Sequence, residues 1–187
     1  MKQDYYLALL HYPVYNRRRE VAVTSVANMD IHDIARIAMT YGIRRFYIIT
    51  PVEAQQVLVR KILDHWRMGF GAQFNPLRKE AFETVNLAKS LEEGLEEMAA
   101  LSGRMPKIVI TGAALSGALV SCAVLKERMN QEKDPYLFLF GTGWGLTDEV
   151  IARGDYRLAP IQGAADYNHL AVRSAVAIVM DRLLGQG

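Results

Sequence analysis

The chain has 187 residues, 51% of them apolar, one cysteine and a formal net charge of +2. That length suits one domain, or one domain with a modest insertion, with enough apolar mass for a sizeable core. The lone Cys122 excludes an intrachain disulfide and a cysteine-rich zinc site, and no apolar run approaches the ~18–20 residues that span a bilayer.

Taken in chain order, residues 5–12 (YYLALLHY) form a near-continuous apolar run stopped by Pro13, as expected of a strand covered on both faces. Residues 17–20 are a polar turn, and 21–27 extend or pair nearby. A helix is predicted over 31–41, capped by Asp30 with Asp33 at the capping-box position and Gly42 beyond its end. Residues 44–50 (RRFYIIT) read as the second strand, stopped by Pro51. The helix predicted over 53–68 sets Leu58, Ile62 and Trp66 on one face; 69–75 reads as a loop, and Pro76 opens a short element.

Further strands are predicted at 82–87, 107–111, 136–140 and 156–158, with helices at 91–101, 117–129, 146–153 and 168–184. Thr147 or Asp148 opens the third of these helices, and Asn168 is the natural cap of the last. That last helix is apolar almost all round and needs cover on more than one side, a second subunit being one source. The alternation predicts an α/β fold, a mostly parallel sheet flanked by helices, over one domain spanning 1–187. Cys122 reads as a buried structural thiol. The start, Met1-Lys2-Gln3-Asp4, is unlike a signal peptide, so a cytoplasmic location is expected.

Three predicted strand ends are poor in side chain: 111–114, 141–145 and 159–165. In open parallel sheets ligands sit at such ends. The loop Gly141-Thr142-Gly143-Trp144-Gly145 is neither a Walker A loop nor a Rossmann fingerprint, and it lies late in the chain. Glycines permit positive φ and close approach of a ligand to the backbone. Charge is uneven: residues 1–80 carry a net +5 and residues 81–187 a net −3. A polyanionic partner would fit that lean, and so would ordinary solvated faces. The four histidines are scattered without carboxylates at ligand spacing, so no metal site is predicted.

Several of these stretches resemble the SPOUT superfamily of RNA methyltransferases, which use S-adenosylmethionine. Gly141 to Leu146 looks like the family's G-x-x-x-G-[LIV] loop. Pro160-Ile161 with residues 167–174 looks like its proline-led segment and final helix. Asp30 to Arg36 followed by Tyr41-Gly42 matches its first motif, with Asp30 where Asn is usual. The signatures DIHDIAR and DYNHLAVRSA are similar to those of a bacterial branch. The chain departs from the pattern in lacking a Glu in the Gly141 loop and in carrying His169-Leu170-Ala171 where several members have Ser.

The resemblance runs from the first strand to the last helix, sets residues 53–80 apart as a helical insertion, and implies a deep C-terminal trefoil knot whose loops hold S-adenosylmethionine. Thr111 and Gly112 would leave room for it. Backbone groups of Phe140, Gly141, Thr142, Gly143, Trp144, Gly145 and Leu146, of Ile161, Gln162 and Gly163, and of Asn168, Leu170 and Val172 would read its adenine and ribose. Asp166 and Tyr167 would line the pocket. Arg36 would sit near the methyl group, orienting a phosphate or assisting deprotonation, against a surface ion pair with Asp30 or Asp33. His32, one turn earlier, would reach the same site, against simple exposure. Asn168 and His169 complete the catalytic candidates, against capping and a polar contact. Arg173 would reach RNA or pair across a dimer.

The implied function is an S-adenosylmethionine-dependent methyltransferase acting on tRNA or rRNA, homodimeric through the last helix. A non-catalytic module binding cofactor or RNA is the alternative. A further one is an unknotted α/β enzyme for another nucleotide.

Overall fold

The computed structural model describes residues 3–165 and 167–186. Its centre is β1 (Tyr5–Leu10), where the apolar YYLALL run leaves every residue after Tyr5 buried. Side chains alternate across a strand, so Leu7 and Leu9 enter one core layer while Tyr6, Ala8 and Leu10 enter the other. A sequence apolar at every position suits only a strand with both faces covered.

β2 (Val14–Tyr15) and β3 (Val21–Ala22) form a small antiparallel hairpin after β1. Then come α1 (Asn28–Thr40), β4 (Arg45–Ile49), and three successive helices, α2 (Glu53–Arg67), α3 (Phe70–Phe74) and α4 (Pro76–Glu83). β5 (Val85–Ala88), α5 (Leu91–Ser102), β6 (Lys107–Ile110), α6 (Cys122–Glu132) and β7 (Tyr136–Gly141) follow. The chain closes with α7 (Asp148–Ala152), β8 (Tyr156–Arg157) and α8 (Val172–Leu184).

The main sheet has six strands in the order β5-β4-β1-β7-β6-β8, every pairing parallel. The chain builds outward from β1 through β4 to β5, crosses to β6, and returns to lay β7 against β1. This reversal opens a crevice at the C-terminal ends of β1 and β7. Residues of α1, α2, α4, α6 and α8 share one core layer, and residues of α5 and α7 share the other. Among the described residues, no helix is long and apolar enough to cross a membrane.

The fold class expected from the sequence is the one found, with several local corrections. α1 starts at Asn28 after an extended Ala27, so Asp30 lies inside its first turn and caps nothing. The buried face of α2 is Gln56, Val59 and Leu63; Leu58 is exposed. The expected loop at 69–75 contains a turn of helix, α3, because Gly71 and Ala72 are buried there. The helix expected from 117 starts at Cys122, capped by the Ser121 hydroxyl, since Val120 pairs with Leu158. α8 starts at Val172 and buries one stripe, Val176, Val179, Met180 and Leu183, rather than its whole circumference.

Candidate functional site

The glycine-rich loop leaves β7 in the crevice beside β1. It packs against the chain itself. A Cβ on Gly143 would lie 2.9 Å from the Tyr15 carbonyl oxygen, and one on Gly141 would lie 2.9 Å from Leu146. The Trp144 amide donates to the Tyr15 carbonyl (2.9 Å) and the Tyr15 amide donates to the Gly145 carbonyl (2.8 Å). Gly143 and Gly145 both have positive φ, 60° and 100°. Gly143 is therefore required by the β2–β3 hairpin crossing over it, and Gly141 by the turn that folds Leu146 back on it. A Cβ on Gly145 would meet nothing within 4 Å, and the same holds for Gly163. Of the glycines in these strand-end loops, those two leave open space.

Thr142 ties the loop down. Its amide and hydroxyl both donate to the Leu10 carbonyl, at 3.3 and 3.0 Å. Its hydroxyl also contacts that of Thr24. Thr24 in turn bonds His11 Nδ1 at 3.1 Å. His11 is buried, its Nε2 has no partner, and burial pushes its pKa down to about 4. Nothing in the sequence singled out this His11–Thr24–Thr142 chain, because it joins residues more than a hundred positions apart. Trp144 is 64% exposed.

The second loop group gathers around the end of β6. Thr111 is buried, and its hydroxyl donates to the Leu139 carbonyl at 2.9 Å. It is thus a strand-end brace, and Gly112 beside it is exposed. The Leu158 amide donates to Ile110 (2.9 Å) and the Ala159 amide to Val120 (2.8 Å), so this segment lies between β6 and the loop after it. The Asn168 side-chain amide donates to the Ala113 carbonyl at 3.3 Å. That contact, rather than helix capping, is what Asn168 does; the extended Ala171 precedes α8. Ile161 and Val172 pack on the α1 side of the sheet, Leu146 on the opposite side. The expected cofactor residues thus bracket the ends of β6 and β7 from both faces. Gln162, His169 and Leu170 are exposed, and the His169 ring meets Tyr167 edge-on at 5.3 Å. Asp166 lies outside the described residues.

α1 carries the remaining candidates on two different sides. Arg36 is exposed, makes no ion pair among the described residues, and lines a cleft of about 460 Å³ between α1 and α8. The ion pair expected for Arg36 belongs to Arg173: its guanidinium reaches Asp30 at 3.1 Å and Asp33 at 3.4 Å. His32 points away from that cleft. It lines a second cleft of about 310 Å³ with Trp66 and His65, and its ring meets Trp66 at 5.1 Å and Phe82 at 4.8 Å. Burial and the Arg78 cation lower its pKa. His32 and Arg36 therefore do not share a site within one chain. The helical repeat puts them one turn apart, but the flanking helices turn one toward α2 and the other toward α8. The glycine-rich loop lines neither cleft.

A family model described as a SAM-dependent RNA methyltransferase matches residues 4–185. The chain belongs to that family. It is 38% identical over 186 residues to an uncharacterized protein of Aquifex aeolicus, covering 100% of this chain and 91% of that one. It is 41% identical to a tRNA (guanine-N(1)-)-methyltransferase of Nitratidesulfovibrio vulgaris, covering 98% of this chain but 42% of that protein. The chain therefore spans less than half of that relative.

Among solved structures it resembles a probable methylase family protein from Haemophilus influenzae (TM-score 0.63, 18% identity, 97% of this chain, 65% of that one). It also resembles the A. aeolicus TrmH/SpoU tRNA modifying enzyme (TM-score 0.56, 16% identity, 99% of this chain, 76% of that one). These likenesses are of fold. The family match makes the chain a member of the SAM-dependent RNA methyltransferases.

The residues at the crevice fit such a cofactor in kind. Open space lies at Gly145 and Gly163, and the Gly112-Ala113-Ala114 run is exposed and short of side chain. Strand-end peptide groups in that setting suit a neutral heterocycle and a ribose.

Proposed function

We propose that the chain methylates a tRNA or rRNA nucleotide as a homodimer, with S-adenosylmethionine held by the loops at the ends of β6, β7 and β8. The single observation that carries the reading is the Asn168–Ala113 bond. It joins the final loop to the β6 loop in a chain of this family. In our reading the final segment is knotted: residues 157–159 lie between Ile110 and Val120, the arrangement expected if the chain end passes through the loop after β6. The three side-chain-poor loops then form one cradle.

S-adenosylmethionine supplies an activated methyl group on a sulfonium, and transfer requires in-line alignment of donor and acceptor. Gly145, Gly163 and Gly112 keep side chains out of the cradle, and Thr142 and Thr111 fix the backbone around it. Arg36, without an ion pair among the described residues, presents its guanidinium to an RNA phosphate. His169, exposed beside Tyr167, takes the acceptor's proton where a base is needed. Arg36 and the cradle are brought together by a second copy seated in the α1–α8 cleft. Half-buried Ile37 and Ala177 give that cleft an apolar lining.

Three measurements test this. Calorimetry with S-adenosylmethionine should give a saturable one-site isotherm. Methyl transfer from labelled donor to bulk RNA should fall at least 100-fold in Arg36→Ala while thermal stability is unchanged. Light scattering should return twice the monomer mass. Cofactor binding without transfer to tRNA or rRNA would favour the non-catalytic module instead; no cofactor binding would end both readings.

A further inference from the structure

The contacts of His11, Thr24 and Thr142 close a ring at the C-terminal ends of β1 and β7. His11, the residue after β1, donates its amide to the Ile49 carbonyl at the end of β4 (2.9 Å). Its carbonyl accepts the Thr24 amide (2.9 Å), and its Nδ1 meets the Thr24 hydroxyl (3.1 Å). The Thr24 hydroxyl bonds that of Thr142, which returns to the Leu10 carbonyl. The end of β1, the segment after β3 and the loop after β7 are thereby held on one another.

The order of donors in this ring is fixed. A carbonyl oxygen only accepts, so the Thr142 hydroxyl directs its proton to Leu10. Thr24 is then the donor to Thr142; the other acceptor it meets, the His11 carbonyl, is 3.5 Å away. The Thr24 oxygen is left to accept from His11, which makes the neutral imidazole the Nδ1–H tautomer. Nε2 is a bare acceptor, buried without a partner among the described residues. An unsatisfied buried acceptor costs stability, and an apolar side chain of similar size would avoid that cost. Stability alone therefore does not account for a histidine at this position.

Both branches of Thr24 serve the glycine-rich loop. Its hydroxyl holds Thr142, and its methyl lies 3.1 Å from where a Cβ on Gly143 would stand. Gly141, Gly143 and Gly145 give the loop wide backbone freedom, which a ligand reading its peptide groups has to freeze. A loop already held in shape binds more tightly, because that ordering is not repeated at each binding event.

We propose that His11 and Thr24 are positioning residues for S-adenosylmethionine binding, acting through Thr142 to hold the glycine-rich loop in its binding shape. The proposal rests on the reading that this loop helps hold the cofactor, and adds residues outside the loop that set its affinity.

The test compares the full wild-type chain with Thr24→Val, His11→Gln and His11→Asn. Valine keeps the methyl contact and removes the hydroxyl. Asparagine places an amide nitrogen where Nδ1 stands and donates to Thr24; glutamine places its amide where Nε2 stands and does not. Calorimetry should show S-adenosylmethionine binding weakened roughly 10-fold by Thr24→Val and by His11→Gln, the size of one lost hydrogen bond. His11→Asn should stay within about threefold of wild type. Rates on bulk RNA should show the same rise in KM for S-adenosylmethionine with kcat within about twofold, because the transfer step is untouched. Long-range nitrogen–proton NMR of the imidazole should show Nδ1 protonated and Nε2 bare.

A merely structural role would lower the melting temperature, leave the cofactor affinity of the folded protein alone and make the two histidine variants alike. Affinities within about twofold of wild type in Thr24→Val and His11→Gln would overturn the proposal and leave the cofactor reading intact. Equal weakening in His11→Asn and His11→Gln, or an Nε2–H tautomer, would overturn the role of the Nδ1 bond. If Thr24→Val does not fold, the two histidine variants decide. Failure of wild type to bind S-adenosylmethionine would overturn the cofactor reading and the proposal with it.

Discussion

Arg173, near the start of α8, donates to Asp30, in the first turn of α1, at 3.1 Å. The same guanidinium reaches Asp33 at 3.4 Å. The Asp30 side chain is only 12% exposed, so its carboxylate has little water to replace a lost partner. This pairing fixes the start of α8, and with it the loop that carries Asn168 and His169.

Arg173→Ala should therefore destabilise the fold by about 1–3 kcal/mol, at the lower end for a buried pair because the arginine is itself one-third exposed. Asp30→Asn should cost less, and the double variant should recover part of the loss. Urea denaturation of the four proteins in a double-mutant cycle measures this. Additive single losses would show that the two groups do not interact.

Gly143→Ala and Gly163→Ala should behave differently. At Gly143 a methyl group meets the Tyr15 carbonyl at 2.9 Å with φ at 60°, so a loss of about 2 kcal/mol is expected. At Gly163 nothing lies within 4 Å, and stability should hold within about 0.5 kcal/mol. If the cradle is as proposed, Gly163→Ala weakens S-adenosylmethionine binding while leaving the melting temperature alone. Unchanged cofactor affinity in that variant would remove Gly163 from the site.

His11 makes stability depend on pH. Its folded-state pKa is about 4, below the ordinary 6.5. Between those values the unfolded chain binds a proton that the folded chain refuses. Its contribution is thus full above about pH 6.5 and is lost as pH falls toward 4. The shift corresponds to about 3 kcal/mol across the window. His32, lowered by burial and Arg78, acts in the same direction. Denaturation midpoints at pH 7.5, 6 and 4.5 should fall steeply for wild type and more shallowly for His11→Gln. Parallel slopes for the two proteins would contradict the assignment.

Cys122 should alkylate slowly. It is half-buried, and burial raises its pKa, so the thiolate is scarce near neutrality. Reaction with a maleimide should run well below the rate of a free small thiol and accelerate on unfolding. A rate equal to that of free thiol would show the site to be open.

Much of the fold is legible without coordinates. The β1 run YYLALL and the β7 run YLFLF are apolar at every position, which only a doubly covered strand tolerates, so a parallel α/β sheet follows from them directly. The boundaries that were misread lie where a distant partner intervenes. Val120 is drawn out of a helical stretch by Leu158, and Asn168 is taken from its capping role by Ala113. Gly71 and Ala72 are packed into a helix where the local sequence reads as loop.

The candidate site divides in the same way. The sequence by itself determined the sheet, the crevice-forming strand ends and the motifs of the methyltransferase family, because these depend on local periodicity and short spacings. Tertiary structure alone decided which glycines serve the hairpin and which leave space. It also turned His32 toward α2, and it gave Asp30 and Asp33 to Arg173 rather than Arg36. Those outcomes depend on which segments the fold sets side by side, and contacts such as Arg173–Asp30, 143 positions apart, leave no periodic trace in the chain.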